Sequence, residues 1–125
     1  KANLDEQSYL SIAEYYEAES HTSKALEVLN KAIALFQYNS DLLKEKAKLL
    51  LKQSNFEAAH QVLNQAEILA PFKVDIVLLR SKILASQDNF DHAYELIEDV
   101  KSYAKNEDRV TALTTEAIVA EMDGD

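Results

Sequence analysis

Glu57 and His60 stand three residues apart, the Glu-x-x-His spacing that sets a carboxylate and an imidazole on one helix face. Two such motifs on two helices can hold a di-metal centre. Here there is one copy, and a solvated helix surface accounts for it. Asp88 and His92, four apart across a helix start, read as a turn residue and a surface histidine. The acid pairs Glu17/Glu19 and Glu98/Asp99 read as exposed charge, because short helices offer little concavity to shift a carboxylate pKa. A single glycine, Gly124, makes neither a phosphate loop nor a dinucleotide fingerprint. There is no Gly-x-Ser-x-Gly turn and no cysteine nucleophile. The expectation is a non-catalytic chain with no metal and no cofactor.

The other arrangement with chemical content is a row of cations. Lys44, Lys48 and Lys52 recur every four residues and so line one face of a helix. Two readings stand: a docking strip for an acidic segment, or a solvated lysine face balanced by Glu45 and Asp41. Tyr9, Tyr15 and Tyr16 also allow two readings, a ligand-stacking cluster or core packing. Core packing is favoured, since they occupy the places later filled by Leu43/Leu49/Leu50 and Val77/Ile83/Leu84.

Helices must position all of these groups. Tyr9, Ile12, Ala13 and Tyr16 follow the i, i+3, i+4, i+7 spacing of an amphipathic helix, and Leu43/Ala47/Leu50 and Val77/Ser81/Leu84 continue the stripe. Polar breaks follow at Glu19-Ser20-His21, Ser54-Asn55 and Asp88-Asn89, where Asn55 and Asn89 are N-cap candidates. Pro71 ends the helix that reaches Leu69-Ala70, because proline lacks the N–H that would continue it. The pattern predicts pairs over about 5–18 with 22–36, about 40–53 with 56–69, and about 73–86 with 90–104, then a seventh helix over about 109–122. Short links make successive helices antiparallel.

Composition narrows the classes. With 125 residues, 47% apolar and 28% charged, the chain can bury a core. One glycine and one proline disfavour a fold built on tight turns. The net charge of −9 argues against a nucleic-acid binder and against docking on anionic membrane. No apolar run is long enough to span a bilayer. The absence of cysteine leaves the compartment open, with the cytoplasm weakly favoured. The chain begins at Lys1 without methionine and stops at Asp125 inside what reads as an unfinished unit, so a fragment of a longer protein is expected.

The stripes keep time with one another. Ala25, Ala59 and Ala93 are spaced 59 − 25 = 34 and 93 − 59 = 34, and Leu29, Leu63 and Ile97 follow in step. A fixed period in this range marks a stacked array of helical hairpins. The segment Lys52-Gln53-Ser54-Asn55-Phe56-Glu57-Ala58-Ala59, continued to Leu63, Ala66 and Pro71, resembles the tetratricopeptide repeat (TPR). Its small-residue places hold Ala13, Ala47 and Ser81, then Ala25, Ala59 and Ala93; its aromatic place holds Thr22, Phe56 and Phe90. Departures are Thr22 itself, Lys46 and Arg80 where leucine is usual, and a closing proline in the second unit alone. A fourth unit fits when Gly124 takes the family's glycine place. That aligns Leu113, Ala117 and Val119 with Leu43, Ala47 and Leu49, with two extra residues near Lys105–Asp108.

The resemblance implies an all-α fold of about seven helices, a right-handed superhelical TPR-like α-solenoid running as one array over residues 1–125. Its repeats would be about 6–39, 40–73 and 74–109, with a partial fourth over 110–125. It further implies a protein–protein interaction scaffold whose concave groove, lined by the first helix of each repeat, takes a peptide or a partner helix. The groove residues would be Leu10 and Glu14, then Lys44, Lys48, Leu51 and Lys52, then Leu78, Leu79 and Lys82. Lys82 falls one repeat beyond Lys48 (82 − 48 = 34). In some co-chaperones TPR domains grip an acidic chaperone tail with a two-carboxylate clamp built from Lys, Arg and Asn side chains. Those places here hold Leu10, Glu14, Glu45, Asp75 and Leu79, so chaperone-tail binding is not expected. Alternatives are a regulatory or oligomerisation arm of a larger enzyme or sensor, and self-association through a seventh helix that leaves Leu113, Ala117 and Val119 uncovered. RNA-reading helical repeats fit poorly with the acidity and with the period.

Overall fold

The computed structural model describes residues 4–124, and among them there are seven α-helices and no strand. These are α1 (Glu6–Ala18), α2 (Thr22–Leu35), α3 (Ser40–Lys52), α4 (Phe56–Leu69), α5 (Val74–Ser86), α6 (Phe90–Tyr103) and α7 (Asn106–Met122). Apolar periodicity placed the first six to within about one residue at each end. The seventh starts at Asn106, earlier than the stripe indicates.

The turns inside the hairpins are copies of one another. Ser20, Ser54 and Asp88 have φ of 63, 59 and 63°, in the left-handed region, and follow each other at 54 − 20 = 34 and 88 − 54 = 34 residues. Around each the same bonds form. His21, Asn55 and Asn89 donate their N–H groups to the carbonyls of Tyr16, Leu50 and Leu84 at 2.8, 2.9 and 2.9 Å. Ser20, Ser54 and Asp88 donate to Glu17, Leu51 and Ala85 at 2.9, 2.9 and 3.0 Å. This is the Schellman ending, which satisfies the orphan carbonyls of a helix and reverses the chain in three residues. Gly124, φ 87°, follows α7 with its N–H on the Glu121 carbonyl at 3.2 Å, as Asp88 does on Ala85. It lies 124 − 88 = 36 residues after Asp88, so the fourth turn comes two residues late. The excess is taken up upstream. The α6–α7 link is Ala104-Lys105 alone, and α7 gains a turn at its start.

Helix starts divide into two kinds. Asp5 and Asn39, in extended backbone, cap their helices: Asp5 accepts the Ser8 N–H at 2.8 Å, and Asn39 accepts from Asp41 and Leu42 at 2.9 and 3.1 Å. Asn89, the expected cap of α6, makes no such bond. Coming directly after the left-handed residue, it is held at ψ 67°, outside the extended region from which a side chain reaches back to the first turn. His21 before α2, at ψ 66°, behaves the same way. Asn55 gives its carbonyl to the Ala59 N–H at 3.0 Å.

The chain forms two compact units, one through Leu69 and one from Ala70. In the first, α2 packs against α1 and α3, and α4 packs against α3. Tyr9, Ala13, Ala25, Leu29, Ala32, Leu42 and Leu49 make its shared core. In the second, α5, α6 and α7 pack on one another around Leu78, Leu84, Ala93, Ile97, Val100, Ala112 and Val119. Ala25, Ala59 and Ala93 are each 0% exposed, and their small side chains let the helices of a hairpin approach closely. Tyr9 belongs to the core, but Tyr15, expected there too, is 62% exposed. On α3 the matching residue, Leu49, is covered by α2; α1 has no earlier helix beside it among the described residues.

Candidate partner-binding surface

The first unit carries six of the expected groove residues on α1 and α3. Leu10 is half-buried against the core and Leu51 is half-buried on α3, while Glu14, Lys48 and Lys52 are exposed. Two polar links join the helices that bear them. Lys52 donates to the Glu17 carboxylate, and the Asn39 side-chain amide donates to Glu6 Oε2 at 2.6 Å. The faces of α1 and α3 therefore lie side by side within this unit.

The lysine row is compensated by acids. Lys44 and Lys48 both face Glu45, with Nζ–O distances of 3.8 and 3.4 Å, and Lys52 faces Glu17. These pairs lie at the surface, where each is worth about 0–1 kcal/mol, so a partner's carboxylate can replace them at little cost. Glu45 thus faces both lysines at once.

In the second unit the expectation fails for two residues. Leu78 and Leu79 are 2% and 4% exposed, and Leu78 lies in the core formed with α6 and α7. Neither side chain is open to a docked segment. The cause is the character of α5: Ile76, Leu78, Leu79, Ile83, Leu84 and Ala85 are all buried, on nearly every side of the helix, so its apolar residues do not mark an open face. Lys82, half-buried on α5, accepts the Ser86 hydroxyl at its carbonyl at 3.0 Å.

The structure also shows an apolar surface that the stripes did not indicate. An open pocket of about 370 Å³ in the first unit is lined by Ile33, Gln37, Tyr38, Leu43, Gln65, Ile68 and Leu69. Tyr38 and Ile68 are 84% and 80% exposed at its rim. Tyr38 sits in the link after α2, and Ile68 lies off the Ala59–Leu63–Ala66 seam, so neither belongs to a periodic pattern.

At the α6–α7 junction, Lys101 bonds to Glu98 at 3.0 Å and to both oxygens of Glu116 at 3.1 and 3.2 Å. The Lys101 hydrogen bond, reinforced by its charge, lowers the pKa of Glu98. In turn, the bonds to Glu98 and then Glu116 raise the pKa of Lys101. Arg109 Nη1 donates to the Lys101 carbonyl at 2.7 Å. Asp5 is held below the usual aspartate value by the Ser8 side chain and then by the Ser8 N–H.

Among the described residues there is no group of three or more His, Cys, Asp or Glu side chains that could hold a metal ion. Nor, among them, is any helix long and apolar enough to cross a membrane. No family model matches this chain, and no curated protein matches it.

Proposed function

We propose that this chain is a non-catalytic protein-interaction module of TPR type, a right-handed array that receives a peptide segment or partner helix on the first helices of its hairpins. The observation that carries the reading is the recurrence of one hairpin turn at Ser20, Ser54 and Asp88, with the same two bonds each time and the same fully buried alanine after it. Identical hairpins at a fixed period are the building unit of stacked arrays, whose stability comes from neighbour packing and whose open faces serve recognition.

In the first unit the receiving face is α1 with α3. Leu10 and Leu51 offer partly open apolar contact, and Glu14, Lys48 and Lys52 set the polar register. Because Glu17 and Glu45 balance the lysines beside them, the matching segment is of mixed charge, with apolar side chains toward Leu10 and Leu51. A protein, not a nucleic acid or an anionic membrane, suits a chain of net charge −9. The experiment is quantitative capture from lysate of the source cells with the parent chain, Lys48→Glu, Glu14→Lys and, as a control on α6, Glu95→Lys. A protein retained by the parent and the control but lost with both α1/α3 variants supports the reading. Capture indifferent to both face variants removes it.

A further inference from the structure

The second helix of each hairpin turns an equivalent row of residues to solvent, and the three rows differ in charge. On α2 it is Glu27, Asn30, Lys31 and Ala34. On α4 (61 − 27 = 34) it is Gln61, Asn64, Gln65 and Ile68, and on α6 (95 − 61 = 34) it is Glu95, Glu98, Asp99 and Ser102. Every one of them is exposed. These places accept charge on α2 and α6, so the fold does not require the neutral row of α4. Ile68 is 80% exposed where the other rows carry Ala34 and Ser102, so packing does not require its bulk either.

Gln65 and Ile68 of this row, with Leu69, form the α4 wall of the open pocket of about 370 Å³; Ile33 of α2, Leu43 of α3 and the link residues Gln37 and Tyr38 make the rest. None of these seven is acidic or basic, in a chain of which 28% is charged. The lining falls within residues 33–69, with described helices before and after it. Its volume is that of a ligand site, which runs to about 300–1,000 Å³. Among the described residues, the side-chain amides of Gln37 and Gln65 make no hydrogen bond. Each offers two N–H donors and a carbonyl, the groups that complement a peptide unit.

This chemistry selects the occupant. An ammonium or carboxylate entering the pocket would shed water and find no counter-ion in the lining. A second copy of the chain would bring another net −9 to the contact. A bare hydrocarbon would make no use of the two amides. From the neutral row and the amide pair we propose that the pocket binds an uncharged, extended segment of another protein. One large aliphatic side chain sits on Ile33, Leu43 and Leu69, Gln37 and Gln65 bond the flanking peptide groups, and Tyr38 and Ile68 close over the rim. The site is distinct from the α1/α3 face and does not rest on it.

The probe is acetyl-Ser-Thr-Leu-Thr-Ser-amide, with Ala, Lys and Glu versions of its central residue, titrated into the isotope-labelled chain and followed by heteronuclear NMR. The leucine peptide is expected to move the side-chain amide signals of Gln37 and Gln65. It binds at least about tenfold tighter than the alanine peptide, because it buries more hydrocarbon, and tighter than both charged versions. Ile68→Ser and Gln65→Asp install the residue types that α6 carries at these exposed places, so the fold is kept. Ile68→Ser weakens the leucine peptide at least about fivefold. Gln65→Asp weakens it too and strengthens the lysine peptide. Lys48→Glu, on the other face, leaves the titration unchanged. Equal responses to the four peptides, leucine-peptide shifts that miss Gln37 and Gln65, or no shift at millimolar peptide overturn the proposal. So does isopentanol, the side chain without peptide groups, binding as tightly as the leucine peptide, or a dimer in sedimentation equilibrium that Ile68→Ser dissolves.

Discussion

Replacing Ser54 with glycine is expected to stabilise the protein, although glycine usually weakens helical proteins. Ser54 sits at φ 59°, in the turn that closes α3 and opens α4. A side chain in left-handed backbone costs about 1–2 kcal/mol, because Cβ crowds the following carbonyl oxygen. Glycine removes that cost but returns about 0.5–1 kcal/mol through the greater freedom of the unfolded chain. The difference leaves a gain of about 0.5–1 kcal/mol. For a domain of 60–100 residues this raises the thermal midpoint by about 2–8 °C. Circular dichroism melts of the parent, Ser54→Gly and Gln53→Gly measure it. Gln53 is the adjacent control, at φ −84° and ψ 2°, where glycine brings only its entropic penalty and lowers the midpoint. Ser20→Gly repeats the gain at the equivalent turn, and the two sites, sharing no partner, add. Asp88→Gly gains less, since aspartate tolerates left-handed backbone better than serine. If Ser54→Gly melts at or below Gln53→Gly, the argument from a repeated left-handed turn fails.

Three more outcomes are expected. Asn39→Ala, which removes a cap serving two N–H groups, lowers stability by about 0.5–2 kcal/mol in urea denaturation, whereas Asn89→Ala at an uncapped start changes little. Asp5 and Glu98 have lowered pKa values, so their contribution is complete above the ordinary carboxylate range and is lost as pH falls through the folded values. Lys101 is raised, so its contribution holds below its ordinary pKa of 10.5 and fades only as pH rises through the higher folded value. Urea midpoints across pH check this, with Lys101→Met removing the alkaline limb and the Glu98 part of the acid limb while the Asp5 part stays. A peptide copying an acidic chaperone tail gives no titration heat at micromolar protein, because exposed Glu14 and half-buried Glu45 stand where carboxylates would have to be received.

The helices and hairpins were legible because each apolar stripe repeats at helical spacing, and Ala25, Ala59 and Ala93 fix the register between copies. Gly124, the one glycine, does stand in left-handed backbone after α7. Other features depend on neighbours that a single stripe does not encode. Leu78 and Leu79 were expected on an open face, but α5 is buried on most sides, and nothing in its residue types separates an inner leucine from a docking leucine. Tyr15 repeats the places of Leu49 and Ile83 yet lies open, since exposure depends on which helix stands alongside. Asn89 has the chemistry of a cap without the backbone for it, because the preceding left-handed turn fixes its ψ. The compensation of Lys52 by Glu17 pairs residues 35 apart, a distance that helix spacing rules do not reach.

The two surplus residues before α7 bear on where a chain like this tolerates a change of length. One residue added inside a helix turns everything beyond it by about 100° and would swing a buried seam toward water. Between α6 and α7 the surplus is wound into an extra turn ahead of the seam, and the later residues keep their phase up to Gly124. Length can therefore change at this junction while the hairpins on either side stay fixed.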